Sequence, residues 1–332
     1  MYFSNLKKYF FPILGLLFVA AFLIYFVGCS NNTTSPTQMT DDQYLQQVVT
    51  AGFDTSRTNE DNLMVNERYD LSDGSAVPDQ GNGPLSPIDT LLRWGRIIDN
   101  VNLQFQITTS SDDSVKTVNI TRTITGHYII IGITNGLLDS VSKPYSEVLN
   151  RVILFKRVNH LANPIFNWRV YQVSLLSGGT VSPSQPQSMA QIEQIHIAVD
   201  TSSVTWFGPD FTQNKFTTLR FHGTGIPQVH QGSTVVVQVT VNSTEATNIV
   251  AWHWARNAFG FHRVPFTFLS STPHGNGTYD NVYQKTFTVF PNHKLGCFNG
   301  YINASTMESL YDDDITKFAS SEVGIPYRVI AQ

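Results

Sequence analysis

Much of the chain alternates apolar and polar residues in short runs, and one short stretch instead has helical spacing. Leu103, Phe105 and Ile107 alternate with Gln104, Gln106 and Thr108, and Val118, Ile120 and Ile124 with Asn119, Thr121 and Thr123. A period of two is that of a half-buried strand. The turn-forming run Ser110-Ser111-Asp112-Asp113-Ser114 lies between them, so the two runs predict a hairpin of long strands, with strand patterning starting near Leu91. Two further strands are expected near Arg151–Val158 and Asn167–Leu175. The exception is Asp41 to Val49, where Tyr44, Leu45, Val48 and Val49 have helical spacing. Thr40 or Asp41 can cap this helix, and its acids sit in the first turn, where they complement the helix dipole. Residues 52–87 are rich in Asp, Asn, Gly, Ser and Pro and predict a long irregular segment.

The Gly/Pro/Ser/Gln-rich stretch from Ser177 to Ser188 is the best internal boundary. Beyond it the strands are shorter. Ile195, Ile197 and Val199 mark one, and Val235, Val237, Val239 and Val241 the next. Val250, Trp252 and Trp254 share a face of a third. Further strands are expected at 264–269, 283–290, 298–304 and 326–330. About seven short strands with turns between them predict an antiparallel sandwich. The expected organisation is a β-rich domain over 41–180 and a β-sandwich over 186–332, mainly β throughout.

Two resemblances refine this picture. The helix, the long strands and the closing Asn167-Trp168-Arg169-Val170-Tyr171-Gln172-Val173 resemble nuclear-transport-factor-2-like domains, which implies an α+β fold; an all-β domain is equally defensible there. The valine strand after Gly232, the tryptophan-bearing strand after it and the closing Gly324-Ile325-Pro326-Tyr327-Arg328-Val329 resemble bacterial immunoglobulin-like domains. That implies a spacer or binding module. The cysteines of antibody domains are absent, so only the architecture is implied.

The start of the chain carries an address. Lys7 and Lys8 precede an apolar run from Tyr9 to Gly28, then Cys29 and a polar Ser/Asn/Thr stretch. A basic start, a greasy middle and a small residue before the cut is the layout of a signal peptide. Phe26-Val27-Gly28-Cys29 resembles the lipobox of bacterial lipoproteins, which implies lipidation of Cys29, although the family usually carries Leu where Phe26 stands. Residues 1–28 are then the signal peptide and 29–40 a flexible tether. An uncleaved anchor is the alternative, since about 20 apolar residues span a bilayer. Ser30, and not Asp, follows the cysteine, which by the same resemblance implies an outer-membrane or cell-surface location, otherwise a periplasmic one.

Net charge is −4, and losing Lys7 and Lys8 makes it more negative. No basic run exists, which disfavours nucleic-acid partners, since these are held largely by phosphate neutralisation. Only two cysteines occur. With Cys29 lipidated, Cys297 has no partner for an intramolecular disulfide.

Candidate chemistry is sparse. Asp312-Asp313-Asp314 is a candidate calcium loop, because adjacent carboxylates invite a cation and calcium takes six to eight oxygens. Its spacing is not that of an EF-hand, and a solvated acidic turn is the simpler reading. Phe259, Phe261 and His262 surround Gly260 and could present aromatics to a sugar or a protein partner. His253 and His262 are too few for zinc. No nucleophile–base or zinc-protease motif stands out, so no catalytic residue is assigned. The expected function is that of a non-catalytic envelope lipoprotein, held to the membrane by a lipid anchor, structural or binding a protein or glycan. An enzyme accessory domain, a degenerate hydrolase or a surface-filament subunit are the alternatives.

Overall fold

The computed structural model describes residues 39–51, 88–183, 189–200, 202–223, 225–257 and 260–332, with backbone only at 51, 254–257, 260–263 and 297. Residues 40–332 form one compact unit. Cys29, the tether and the irregular segment 52–87 lie outside the described residues.

Helix α1, Asp41–Ala51, starts where its sequence signals placed it. The Gln43 amide donates to Thr40 Oγ1 at 3.2 Å, and the Thr40 amide donates back to Gln43 Oε1 at 2.9 Å. This reciprocal capping satisfies two helix-end donors at once. Its apolar stripe of Tyr44, Leu45, Val48 and Val49 is buried against Val118, Ile120, Ile153, Phe155, Trp168 and Val170. Asp42 pairs with Lys116 at 2.6 Å and Asp41 with Arg157 at 3.0 Å, so the first turn is also tied to the strands by charge.

Three long antiparallel strands follow: β1 (Thr90–Thr109), β2 (Val115–Thr134) and β3 (Leu137–Arg157). The predicted turn at Ser110–Ser114 closes the first hairpin, with Ser110 Oγ accepting from the Val115 amide at 2.9 Å. The second hairpin turns at Asn135-Gly136, both with positive φ, the backbone that Asn-Gly favours in two-residue turns. Strand β4 (Trp168–Ser174) pairs with β3.

Strand β5 (Leu176–Ser182) occupies the start of the stretch read from sequence as the internal boundary. It lies between β3 and β16 (Ser320–Ile330), antiparallel to both. Glycine is what lets it fit: a Cβ on Gly178 would sit 2.0 Å from the Val148 carbonyl oxygen. Through β5 the three-strand ribbon continues into β16, β15 (Gly296–Thr306), β11 (Asn248–Asn257) and β12 (Gly260–Pro265). The segments 41–180 and 186–332 therefore share one curled, half-barrel sheet of 11 strands.

The sandwich is present. A second sheet holds β6 (Ala190–Val199), β7 (Ser202–Phe207), β10 (Thr234–Ser243), β13 (Thr267–Pro273) and β14 (Tyr279–Thr288), in the order β13-β14-β10-β6-β7. Its inward Ile195, Ile197, Val235, Val237, Val239 and Val241 share a core with Val250, Trp252, Ile302, Val323, Ile325 and Val329 of the large sheet. The short strands β8 (Lys215–Thr217) and β9 (Gln228–His230) finish the large sheet, β9 running parallel to β16.

On its other face, the large sheet encloses a second core. Residues 307–319, including the short helix α2 (Glu308–Tyr311), plug it with Leu310, Tyr311 and Phe318. The Phe318 ring lies 4.7 Å from that of Tyr128 and 5.5 Å from that of Tyr145, centroid to centroid. β16 thus faces the sandwich with Ser321, Val323 and Ile325 and the half-barrel with Ser320, Glu322 and Gly324, as strand alternation requires.

Candidate functional site

A cleft of about 470 Å³ opens at the seam between the two sheets, within the usual range of ligand pockets. Asn150 of β3 and Ser177, Gly179 and Thr180 of β5 contribute one part of its lining. Gln191 of β6, the 209–211 loop and Ser321 of β16 contribute the other. Most of its polar groups already hold partners. Asp210 accepts from the Thr212 amide at 3.0 Å, from Thr212 Oγ1 at 2.5 Å and from Gln213 Nε2 at 2.8 Å. Burial works to raise the Asp210 pKa, but these bonds together hold it below the ordinary carboxylate value. Ser177 Oγ donates to the Pro209 carbonyl at 3.2 Å, and Ser321 Oγ accepts from the Ile192 amide at 3.1 Å. Asn150 is exposed, and Gln191 half-buried, at the mouth.

Beneath the cleft, on the opposite face of β3 and β16, lies a buried ionic cluster. Arg96 of β1 donates to Glu147 of β3 at 2.5 Å and to Glu322 of β16. Both carboxylate side chains are wholly buried. Asn303 Nδ2 donates to Glu322 Oε1 at 3.4 Å and also to Ser320 Oγ. Among the described residues, the second oxygens, Glu147 Oε1 and Glu322 Oε2, accept no hydrogen bond. Burial pushes the Glu147 pKa up, and the Arg96 guanidinium pulls it partly back. Burial raises Glu322 well above the usual carboxylate range. One cation flanked by two buried acids cannot offset both charges, and burial favours the protonated form of each carboxyl. The adjacent Tyr145 hydroxyl is pushed up to about 12, chiefly by burial.

The residues singled out from sequence lie elsewhere. Phe259 is outside the described residues, and Phe261 and His262 are placed by backbone only, on β12 at the edge of the large sheet. Trp252 is buried in the sandwich core, and His253, on the opposite face of β11, is buried as well. Asp312 closes α2, and Asp313 and Asp314 are exposed. Asp312 accepts from the Asp314 amide at 2.8 Å, and Asp314 from the Thr316 amide at 2.9 Å. Among the described residues, no three His, Cys, Asp or Glu side chains converge as a metal-holding group. The positive charges that face the acidic run are the ammonium groups of Lys317 and Lys143.

Lys143 is fully buried, and its Nζ donates to the carbonyls of Glu308 and Lys317, each at 2.8 Å. It clips both ends of the plug to β3. Burial lowers its pKa to about 8, while Asp312, Asp314, Glu308 and Asp313 pull it back up. Below pH 8 Lys143 is charged in both the folded and unfolded states, so the full cost of burying the charge is present. Between about 8 and 10.5 only the unfolded chain keeps the proton, so stability rises with pH through that window. The upper bound is on the order of 3 kcal/mol. Urea unfolding of wild type and Lys143→Met at pH 7.5 and 10.5 should show this gain in wild type alone. An equal pH response in both proteins would mean that the ammonium is not desolvated.

The ionic cluster gave little warning in sequence, yet a signal was there. Tyr145, Glu147, Leu149, Arg151, Ile153 and Phe155 share one strand parity, so an acid and a base stand in an otherwise apolar inward row. Trp94, Arg96 and Ile98 repeat the pattern on β1. No family model matches the chain, and no curated protein matches it significantly in sequence.

Proposed function

We propose that the chain is a non-catalytic cell-envelope lipoprotein, tethered through lipid on Cys29 at the outer membrane or cell surface. Its folded part then works as a structural and binding module with an immunoglobulin-like sandwich. The observation that carries this reading is how the buried chemistry is used. Arg96, Glu147, Glu322 and Lys143 are bound to neighbouring strands and to the plug, where they hold the fold. In the seam cleft, Asp210, Ser177 and Ser321 are engaged in the cleft's own hydrogen bonds. What the cleft offers a ligand is the side-chain amides of Gln191 and of Asn150, whose Oδ1 also accepts from Thr121 Oγ1 at 3.0 Å, together with backbone groups beside them, which suits neutral hydroxylated ligands such as glycans. Two measurements test the reading. Mass spectrometry of the native protein should find Cys29 as a lipidated N-terminus, and a mature protein retaining the Lys7 peptide overturns the tether. A glycan array should give hits that are lost in Asn150→Ala/Gln191→Ala; hits unchanged by that variant place binding outside the cleft.

One observation favours a filament subunit instead. In the large sheet β1 pairs only with β2 among the described residues, leaving a 20-residue edge with Ile97 and Val101 exposed. Such an edge can accept a strand from another chain. Against this, β1 is interrupted at Leu91/Arg93 and Ile98/Asn100 and carries Arg93 and Asp99. Bulges and charges are the devices by which edges resist pairing, and the binding-module reading is preferred.

A further inference from the structure

The two layers of the sandwich do not fill the space between them. The inward positions of β10 are all valine, Val235, Val237, Val239 and Val241. Valines on a sheet packed about 10 Å from its neighbour leave a gap unless larger residues oppose them. Near Val237 that gap is a cavity of about 190 Å³. Its lining includes Trp252 of β11, Val264 of β12, Phe287 of β14 and Tyr327 of β16. Trp252 and Phe287 are stacked with their centroids 6.0 Å apart.

The cavity reaches solvent. Val264, Phe287 and Tyr327 are only half-buried, and Phe290, also in the lining, is 62% exposed. Polar groups in the lining are few. His293 Nδ1 hydrogen-bonds to the Lys294 carbonyl at 2.8 Å. A carbonyl can only accept, so Nδ1 carries a proton in this bond.

We propose that this cavity is a binding site for a small aromatic molecule of one or two rings. Size and lining both point to that class. An apolar cavity of about 150 Å³ in another protein stays dry and takes up benzene. At 190 Å³ the space is below the ~300 Å³ at which drug-sized ligands begin to fit. Aromatic rings on several sides offer edge and face contacts that an aliphatic chain cannot use. An empty cavity of this size is destabilising, so an occupant that fills it is favoured over none. This site is separate from the seam cleft and does not depend on the lipoprotein reading.

Fluorobenzene, followed by ¹⁹F NMR on the full chain in lipid nanodiscs, is the direct probe. Val237→Phe places a ring inside the cavity and Val264→Phe narrows its opening. The expected result is a saturable bound resonance in wild type, at least tenfold weaker binding in both variants, and melting temperatures not below wild type in at least one. Equal signals in wild type and variants would reduce the binding to partition into lipid and overturn the proposal. So would the absence of a saturable signal. Octanoate binding without fluorobenzene binding would overturn the aromatic class.

Discussion

A fragment beginning at residue 186 is expected to show no cooperative unfolding transition, whereas the chain from residue 40 should unfold in one. The fragment keeps the five-stranded sheet but loses β5, whose Leu176–Gly179 pair with Ser321–Gly324 of β16. It also strips the inner face of the large sheet. Tyr301, Leu310 and Phe318 would lose Trp94, Tyr128, Tyr145 and Leu149 from their shared core. Fully burying a large apolar side chain contributes about 1.5–3 kcal/mol, so exposing several exceeds the 5–15 kcal/mol that a domain typically holds in reserve. The check is denaturation of both proteins followed by tryptophan emission and circular dichroism. Coincident, cooperative transitions in the short fragment would show that the sandwich stands alone after all.

Replacing Arg96 with Met should cost about 3–5 kcal/mol, the range found when one partner of a buried ion pair is removed. Glu147 and Glu322 would then face each other with no cation between them. The triple variant Arg96→Met/Glu147→Gln/Glu322→Gln should recover most of the loss, because it removes the charges together with their partner. The pH response gives an independent sign. Both carboxyls have folded pKa values raised above their unfolded values. Their contribution is fully present below the unfolded value near 4.3 and is lost as pH rises towards the folded one. Without Arg96 the loss should steepen, so the variant should be closest to wild type in acid. Chemical denaturation at pH 4.5 and 7.5 reads both effects. A variant within about 0.5 kcal/mol of wild type at pH 7.5, the usual effect of a surface substitution, would mean that the cluster is solvated.

The strand period and the capping signals were legible in the sequence, and the long-range pairing was not. Helix α1, the Ser110–Ser114 turn and the valine strand β10 all follow from local patterns. The β2–β3 hairpin was missed along most of its length, because Ser140–Ser146 holds Lys143 and Pro144 among small polar residues and lacks a continuous apolar alternation. β5 was read as a boundary because Ser-Gly-Gly-Thr is turn chemistry on local grounds. Its Gly178 is instead demanded by how closely the β3 backbone at Val148 and Leu149 approaches. No local pattern reports that distance. The buried charges are similar: a Glu at an inward position looks like a broken period until the Arg on another strand is known. The acidic run at 312–314 was visible as a motif, and Lys317 stands next to it in sequence, but the buried Lys143 that also faces it is on β3, far along the chain.

The way α1 is fastened decides where a pull on the chain would be felt. Tension entering at residue 40 meets the helix first. There Asp41 and Asp42 are pinned to Arg157 and Lys116, and the apolar stripe is seated on β2, β3 and β4. The force passes next into the three-strand ribbon, and from there into β16 and the sandwich through β5, the Arg96–Glu322 bridge and the Lys143 clip to the plug. The helix is therefore the mechanical fuse of the molecule. Its ion pairs are partly exposed and weaken with salt, so ionic strength would set how much tension peels it away, while both cores behind it remain closed.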